Sequence, residues 1–177
     1  MKNLFKGAVL AVGLLAATSV ANAQQKIGHI NADEIFQATA EFKAAQEQLK
    51  TLGESKQKEL EGMYTEFQKK ETEGQDKLRN RSEANKAQVD TELQALGQEL
   101  QGMQERIQSV QKVAQEEVGK KQQELMAPIQ TKVMNAINAV AKEKGYAYIL
   151  DLGAGSVIYY QGGEDVSEAV KAKLGIK

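Results

Sequence analysis

Apolar residues recur at steps of three and four through the middle of the chain, and denser apolar runs stand only near its ends. Ile35, Ala38, Phe42, Ala45, Leu49 and Leu52 begin the series. Lys56 takes the next position, and Leu60, Met63 and Phe67 resume after two consecutive steps of four, a stutter in the heptad. Val89, Leu93, Leu96, Leu100, Met103, Ile107, Val110 and Ala114 repeat the spacing without interruption. Two apolar positions per seven make a narrow seam, which suits a coiled coil and not a helix sunk in a globule. The pattern predicts helix from Asp33 to about Lys144, and the seam fades in the stretch ETEGQDKLRNRSEANK, Glu71 to Lys86. Asn80, Ser82 and Asn85 are turn formers there. A reversal at about 78–87 divides the helical span 33–143 into two arms of nearly equal length, and an antiparallel hairpin then lets each seam cover the other.

The ends read differently. Lys26 to Asn31 (KIGHIN) alternates briefly and predicts one strand, with Asn31 or Asp33 capping the first helix. Pro128 removes a ladder hydrogen bond near the base of the second arm and predicts a kink. Beyond it Ile129, Val133, Ile137 and Val140 form a fuller apolar face, for packing against something broader than one helix. Tyr146 to Tyr160 predicts two strands joined by a turn at Gly153 to Ser156, with Val157 to Tyr160 returning. Asp165 and Glu168 resemble a capping box at the start of a last helix. So few short strands make a marginal sheet in water. The predicted fold is therefore α+β: a long antiparallel coiled-coil hairpin on a small β body that completes its sheet by trimerisation. Ile27, Ile30, Tyr148, Leu150, Val157 and Tyr159 are the candidate intersubunit residues of that body.

The first 23 residues belong to neither part. Lys2 and Lys6 form a basic n-region, Gly7 to Ala17 an apolar run, and Ala21-Asn22-Ala23 a small-x-small cleavage site. This is the pattern of a secretory signal peptide cleaved after Ala23, too short for a membrane span. The expected organisation is 1–23 signal peptide, 24–32 first strand, 33–143 hairpin, and 144–177 β hairpin with a C-terminal helix.

Composition narrows the chemistry. The chain has one His, one Pro, no Cys and no Trp, so most side chains used for catalysis or metal binding are missing and no disulfide framework exists. His29, alone on its strand, reads as a structural or interface residue. No enzyme activity, cofactor or metal is expected, and no nucleic-acid partner, since no strongly basic surface is present. Asp151-Leu152-Gly153-Ala154-Gly155 resembles the glycine turn of class I methyltransferases, but only 22 residues follow Gly155 and a coiled-coil arm precedes the strand. A doubly wound nucleotide-binding sheet needs several more βα units after such a turn. Those glycines are read as turn residues.

The ends of the mature chain resemble the Skp/OmpH family of periplasmic chaperones. The resemblance is carried by KIGHINADEIF followed by Lys43-Ala44-Ala45-Gln46-Glu47-Gln48-Leu49, by Ala141 to Tyr146 running on to Asp151, by Val157-Ile158-Tyr159, and by Asp165-Val166-Ser167-Glu168-Ala169-Val170. It implies a homotrimer in the periplasm whose helical tentacles enclose unfolded outer-membrane proteins, without ATP, and prevent their aggregation during transit. A structural coiled-coil adaptor of the envelope, docking a folded partner, is the alternative. Met63, Tyr64, Phe67 and Met103 are candidate client contacts, since methionine and aromatics suit promiscuous apolar contact. Lys69, Lys70, Lys77, Arg79, Arg81 and Lys86 make a candidate basic tip, for weak contact with a membrane surface or lipopolysaccharide. Strongly basic tentacles are known in the family, whereas residues 43–142 here hold 16 Lys and Arg against 16 Asp and Glu. Gln104, Gln108, Gln111 and Gln115 form a stripe at helical spacing, read as a solvated face.

Overall fold

A computed structural model describes residues 25–176. The signal peptide expected over 1–23 and its cleavage after Ala23 lie outside these residues. In chain order the elements are β1 (Ile27–Ile30), α1 (Ala32–Ala38), α2 (Ala40–Arg79), α3 (Lys86–Lys144), β2 (Tyr148–Asp151), β3 (Glu164–Asp165) and α4 (Ser167–Leu174). They fall into two compact units. One is a hairpin over Phe36–Lys132; the other is a body that joins the segment up to Ile35 with the segment from Val133 onward.

The hairpin follows from the seam. Ala45, Val89, Leu96, Ile107, Ala114 and Ile129 are buried, and Leu49, Leu52, Leu60, Met63, Phe67, Leu100, Met103 and Val110 are half-buried. With 40 residues, α2 is about 60 Å long at a rise of about 1.5 Å per residue. Ion pairs fix the antiparallel register, from Glu41–Lys132 through Lys56–Glu117 and Lys70–Glu99 to Lys77–Glu92 and Arg81–Asp90. The reversal occupies residues 80–85. Asn85 Oδ1 accepts from the Ser82 backbone N–H (2.6 Å), and the Asn85 amide donates to the Asn80 carbonyl (3.0 Å), so the side chains that favour a turn also tie it shut. Helix α3 continues through Pro128. That proline is exposed and lines an apolar groove of about 390 Å³ with Ala44, Ala45, Gln48 and Leu125.

At the junction of β1 and α1, Asn31 Oδ1 accepts from the Glu34 N–H while the Asn31 amide donates to the Glu34 carboxylate (2.8 Å). This reciprocal cap is Asn31's, not Asp33's. Thr39, buried, caps α2 in turn by accepting from the Phe42 N–H (3.2 Å).

The body holds a three-stranded parallel sheet in the order β2-β1-β3, with Ile27 opposite Tyr148 and His29 opposite both Leu150 and Asp165. The expected β hairpin at the end of the chain is therefore corrected: Val157 to Tyr160 is not a strand. A tight turn can join only antiparallel neighbours, whereas parallel strands need a crossover. Because β2 and β3 flank β1 and run the same way, residues 152–163 must carry the chain back to its starting edge. Gly162 and Gly163, at φ of 86° and 91°, shape the end of that crossover, a backbone region a Cβ disfavours. Gly153 stands so close to Asn31 Oδ1 that a side chain there would collide with it. The core of the body is Ile30, Ile35, Val133, Ala136, Val140, Tyr146, Val166 and Val170, all buried. The predicted capping box of α4 is also corrected. Asp165 lies in β3 and accepts from the Ser167 N–H (2.9 Å), while Glu168 pairs with Lys171 rather than reaching back.

Candidate functional site

The candidate contact residues of the hairpin sit on and beside its seam. Met63, Phe67 and Met103 are half-buried between the arms. Tyr64 follows Met63 directly and cannot share the seam with it; it is 47% exposed. Leu78, which the sequence pattern does not mark, stands at the equivalent place next to Lys77 and is 62% exposed. Tyr64 is thus the member of the predicted set placed to meet something outside the chain.

The predicted basic tip is largely neutralised. Lys70 pairs with Glu99 (2.9 Å), Lys77 with Glu92 (2.7 Å) and Glu73, Arg79 with Asp76, and Lys86 with Glu83. Arg81 grips Asp90 through two nitrogens at 2.7 and 2.9 Å. The hydrogen bonds that Lys70 and Lys77 donate to Glu99 and Glu92 hold their ammonium groups above their ordinary pKa, and Arg81 holds the Asp90 carboxyl below its own. Among the described residues, only Lys69 of the six predicted cations has no ion-pair partner. Lys70 and Lys77 were missed as seam residues. Continuing the steps of three and four from Phe67 lands on Lys70, Gly74 and Lys77, so the signal lay in the spacing once polar residues were admitted to it. Gly74 is placed where a Cβ would lie 3.0 Å from the buried Leu96 side chain, so this glycine admits a leucine from the opposite arm.

The body brings together a charged clamp that sequence reasoning also missed. Tyr146 packs over Gly28, where a Cβ would meet its ring at 3.1 Å. Lys26 Nζ also lies over that ring, 4.1 Å from its centroid. The Tyr146 hydroxyl donates to Glu164, which also pairs with Lys26 (3.6 Å) and Lys144 (3.4 Å). Burial, then the Glu164 charge, raises the Tyr146 pKa, and the Tyr146 hydrogen bond lowers that of Glu164. The contacts that join them span 18 to 138 positions of sequence, which is why no local pattern announces them. His29 packs against the crossover, its ring 5.3 Å from that of Tyr160 and its Nδ1 buried without a hydrogen-bond partner among the described residues.

Of the candidate intersubunit residues, Ile30 lies in this chain's own core at 3% exposure, so its role is to hold the body together. Leu150 and Val157 are half-buried. Ile27 and Tyr148, paired in register, are both exposed, as is Tyr159, with Ile158 beside it at 99%. No cluster of His, Asp and Glu able to hold a metal exists among the described residues. Nor is any helix among them long and apolar enough to cross a membrane.

The described residues thus form a coiled-coil hairpin crossed by ion pairs and a small parallel sheet. The chain belongs to the OmpH-like outer membrane protein family, which matches residues 26–174. It is 27% identical to the chaperone protein Skp of Vibrio cholerae over 96% of this chain and 97% of that one. It is 33% identical to outer membrane protein 26 of Haemophilus influenzae, over 96% and 93% respectively. The fold is also that of a Caulobacter crescentus protein described as an OmpH-like outer membrane chaperone, with a TM-score of 0.69 at 19% identity over 87% of this chain and 86% of that one.

Proposed function

We propose that this protein is an ATP-independent periplasmic chaperone, a holdase that keeps unfolded outer-membrane proteins from aggregating while they cross to the outer membrane. The chain acts as a homotrimer whose hairpins surround the client. The observation that carries the reading is the contrast inside the family fold: arms that bury their stripe against each other and are crossed by ion pairs, and a body that leaves Ile27, Tyr148, Ile158 and Tyr159 in water. Apolar side chains exposed together on so small a unit are the signature of an interface. Membership of a family with a Skp relative supports the chaperone role. The near absence of catalytic side chain types fits non-covalent retention rather than chemistry.

The test is light scattering from a β-barrel outer-membrane protein diluted out of urea, with and without the mature chain. The expected result is suppression of scattering without nucleotide, saturating at one trimer per client, with sedimentation giving a trimer. No suppression alongside a stable complex with a folded envelope protein would establish the adaptor function instead.

A further inference from the structure

The two flanks that border the seam differ in charge. On one, Glu66 and Glu73 of α2 and Glu92 and Glu99 of α3 surround Lys70 and Lys77, which reach out of the seam to pair with them. The opposite flank of α3 is neutral. Counted in heptads from the seam positions Leu100 and Ile107, it holds no charged residue from Gly97 to Leu125, in a chain that is 27% charged. Six glutamines pave it: Gln101, Gln104, Gln108, Gln111, Gln115 and Gln122, all exposed. In an antiparallel pair, like flanks of the two helices lie on the same side of the seam, and the facing glutamates around Lys77 follow that rule. Tyr64, Glu71 and Leu78, each directly after a seam residue of α2, therefore stand on the glutamine side, so the charge-free surface is that of α3.

A surface whose task is solubility mixes charges of both signs, as the remainder of this hairpin does. A surface that must hold many unrelated chains has a different need. A glutamine amide offers donors and an acceptor together, matching the unpaired N–H and C=O groups of an extended backbone whatever its side chains. Removing fixed charge also removes the attraction or repulsion that would make retention depend on a client's sequence. Tyr64 adds apolar contact on the strip itself, and Leu78 adds it just beyond the end nearest the turn, level with Asp90.

We infer that this neutral flank is the surface on which the hairpin holds extended polypeptide, through amide hydrogen bonds to the client main chain and apolar contact at Tyr64 and Leu78. The inference rests on the holdase reading. Its test compares two variants of the full mature chain with the same added charge. One is Gln104→Glu/Gln108→Glu/Gln111→Glu, on the neutral flank; the other is Ala95→Glu/Ser109→Glu/Gln123→Glu, exposed positions facing away from it. The probe is a fluorescently labelled β-barrel outer-membrane protein diluted from urea, with retention read by anisotropy and helicity by circular dichroism. The flank variant should bind about tenfold more weakly, and the control should stay within about twofold of the parent. A photo-crosslinker at position 108 should capture the client where one at 109 does not. Equal weakening in both variants, no weakening in either, or equal capture at both positions overturns the inference while the holdase reading stands. A parent protein that retains no client at all overturns both.

Discussion

Along the hairpin, each arm buries its stripe against the other, four ion pairs cross between them, and a fifth ties the turn to the second arm. The body has a broader apolar surface and fewer means of covering it. Its sheet has three strands, one of only two residues, and its crossover leaves Ile158 and Tyr159 almost wholly in water. A two-helix coil needs only a narrow stripe, so its outer faces stay free for polar residues; a parallel sheet asks for cover on both faces. The hairpin can therefore stand in solvent with its stripe covered, whereas the body leaves Ile27, Tyr148, Ile158 and Tyr159 exposed.

The largest expected effect separates the two kinds of apolar residue. Ile30→Ala removes a core side chain from the central strand and should cost about 3 kcal/mol, within the range for buried isoleucine truncation. Leu96→Ala on the hairpin seam should cost about 2–3 kcal/mol, the arms being freer to close over the gap. Ile158→Ala, the same truncation at a site 99% exposed, should leave unfolding of the single chain within about 0.5 kcal/mol and weaken self-association instead. Urea unfolding and sedimentation equilibrium of the three variants check this; an equal loss of stability from Ile158→Ala would remove the basis for the contrast.

The same contrast governs what the sequence disclosed. Steps of three and four are local, so the hairpin was legible residue by residue, from Ala45 through Ala114, with the reversal marked by Asn80, Ser82 and Asn85. Parallel pairing is not local. Ile27 meets Tyr148 across 121 positions, and nothing in YILD states whether its partner precedes or follows it. The third strand, Glu164–Asp165, is short and charged and carries no strand pattern, so the apolar VIYY just before it took its place in the reading. The contact flank was half legible: the glutamine stripe is plain in the sequence, but its meaning changes only beside Tyr64 and the ion-paired opposite flank. Lys70 and Lys77 were hidden for a chemical reason, since an apolarity filter discards lysines whose stems fill a seam while their ammonium groups reach outward.

Glycines sharpen the comparison within the hairpin itself. Gly97 and Gly102 have open space where a Cβ would stand, so alanine there should gain helix propensity with nothing displaced, about 0.5–1 kcal/mol each. Gly74→Ala gains the same propensity but drives its methyl against Leu96, so it should fall at least about 1 kcal/mol short of the other two. Thermal unfolding of the three variants measures this directly. A Gly74→Ala protein as stabilised as Gly102→Ala would mean that the arms do not need the close approach at this point.

The smallest expected effect is the body's dependence on pH. Glu164 has its pKa lowered first by the Tyr146 hydroxyl and then by Lys144 and Lys26. Its contribution is therefore complete above the ordinary glutamate value of about 4.3 and is lost as pH falls through the lower folded value. Asp165, held down by its bonds to Ser167, acts with the same sign, so Glu164→Gln should flatten the acid limb of stability without removing it. Tyr146 acts at the other end. Its pKa is raised, so the neutral phenol's contribution holds below the ordinary tyrosine value of about 10 and declines as pH rises above it. Tyr146→Phe keeps the ring against Gly28 and Lys26 and deletes the hydroxyl. It should flatten the alkaline limb and let the Glu164 carboxyl titrate closer to its ordinary range, followed by the carbon-13 shift of that carboxyl. An unmoved Glu164 titration would show that Lys26 and Lys144, not Tyr146, set its charge.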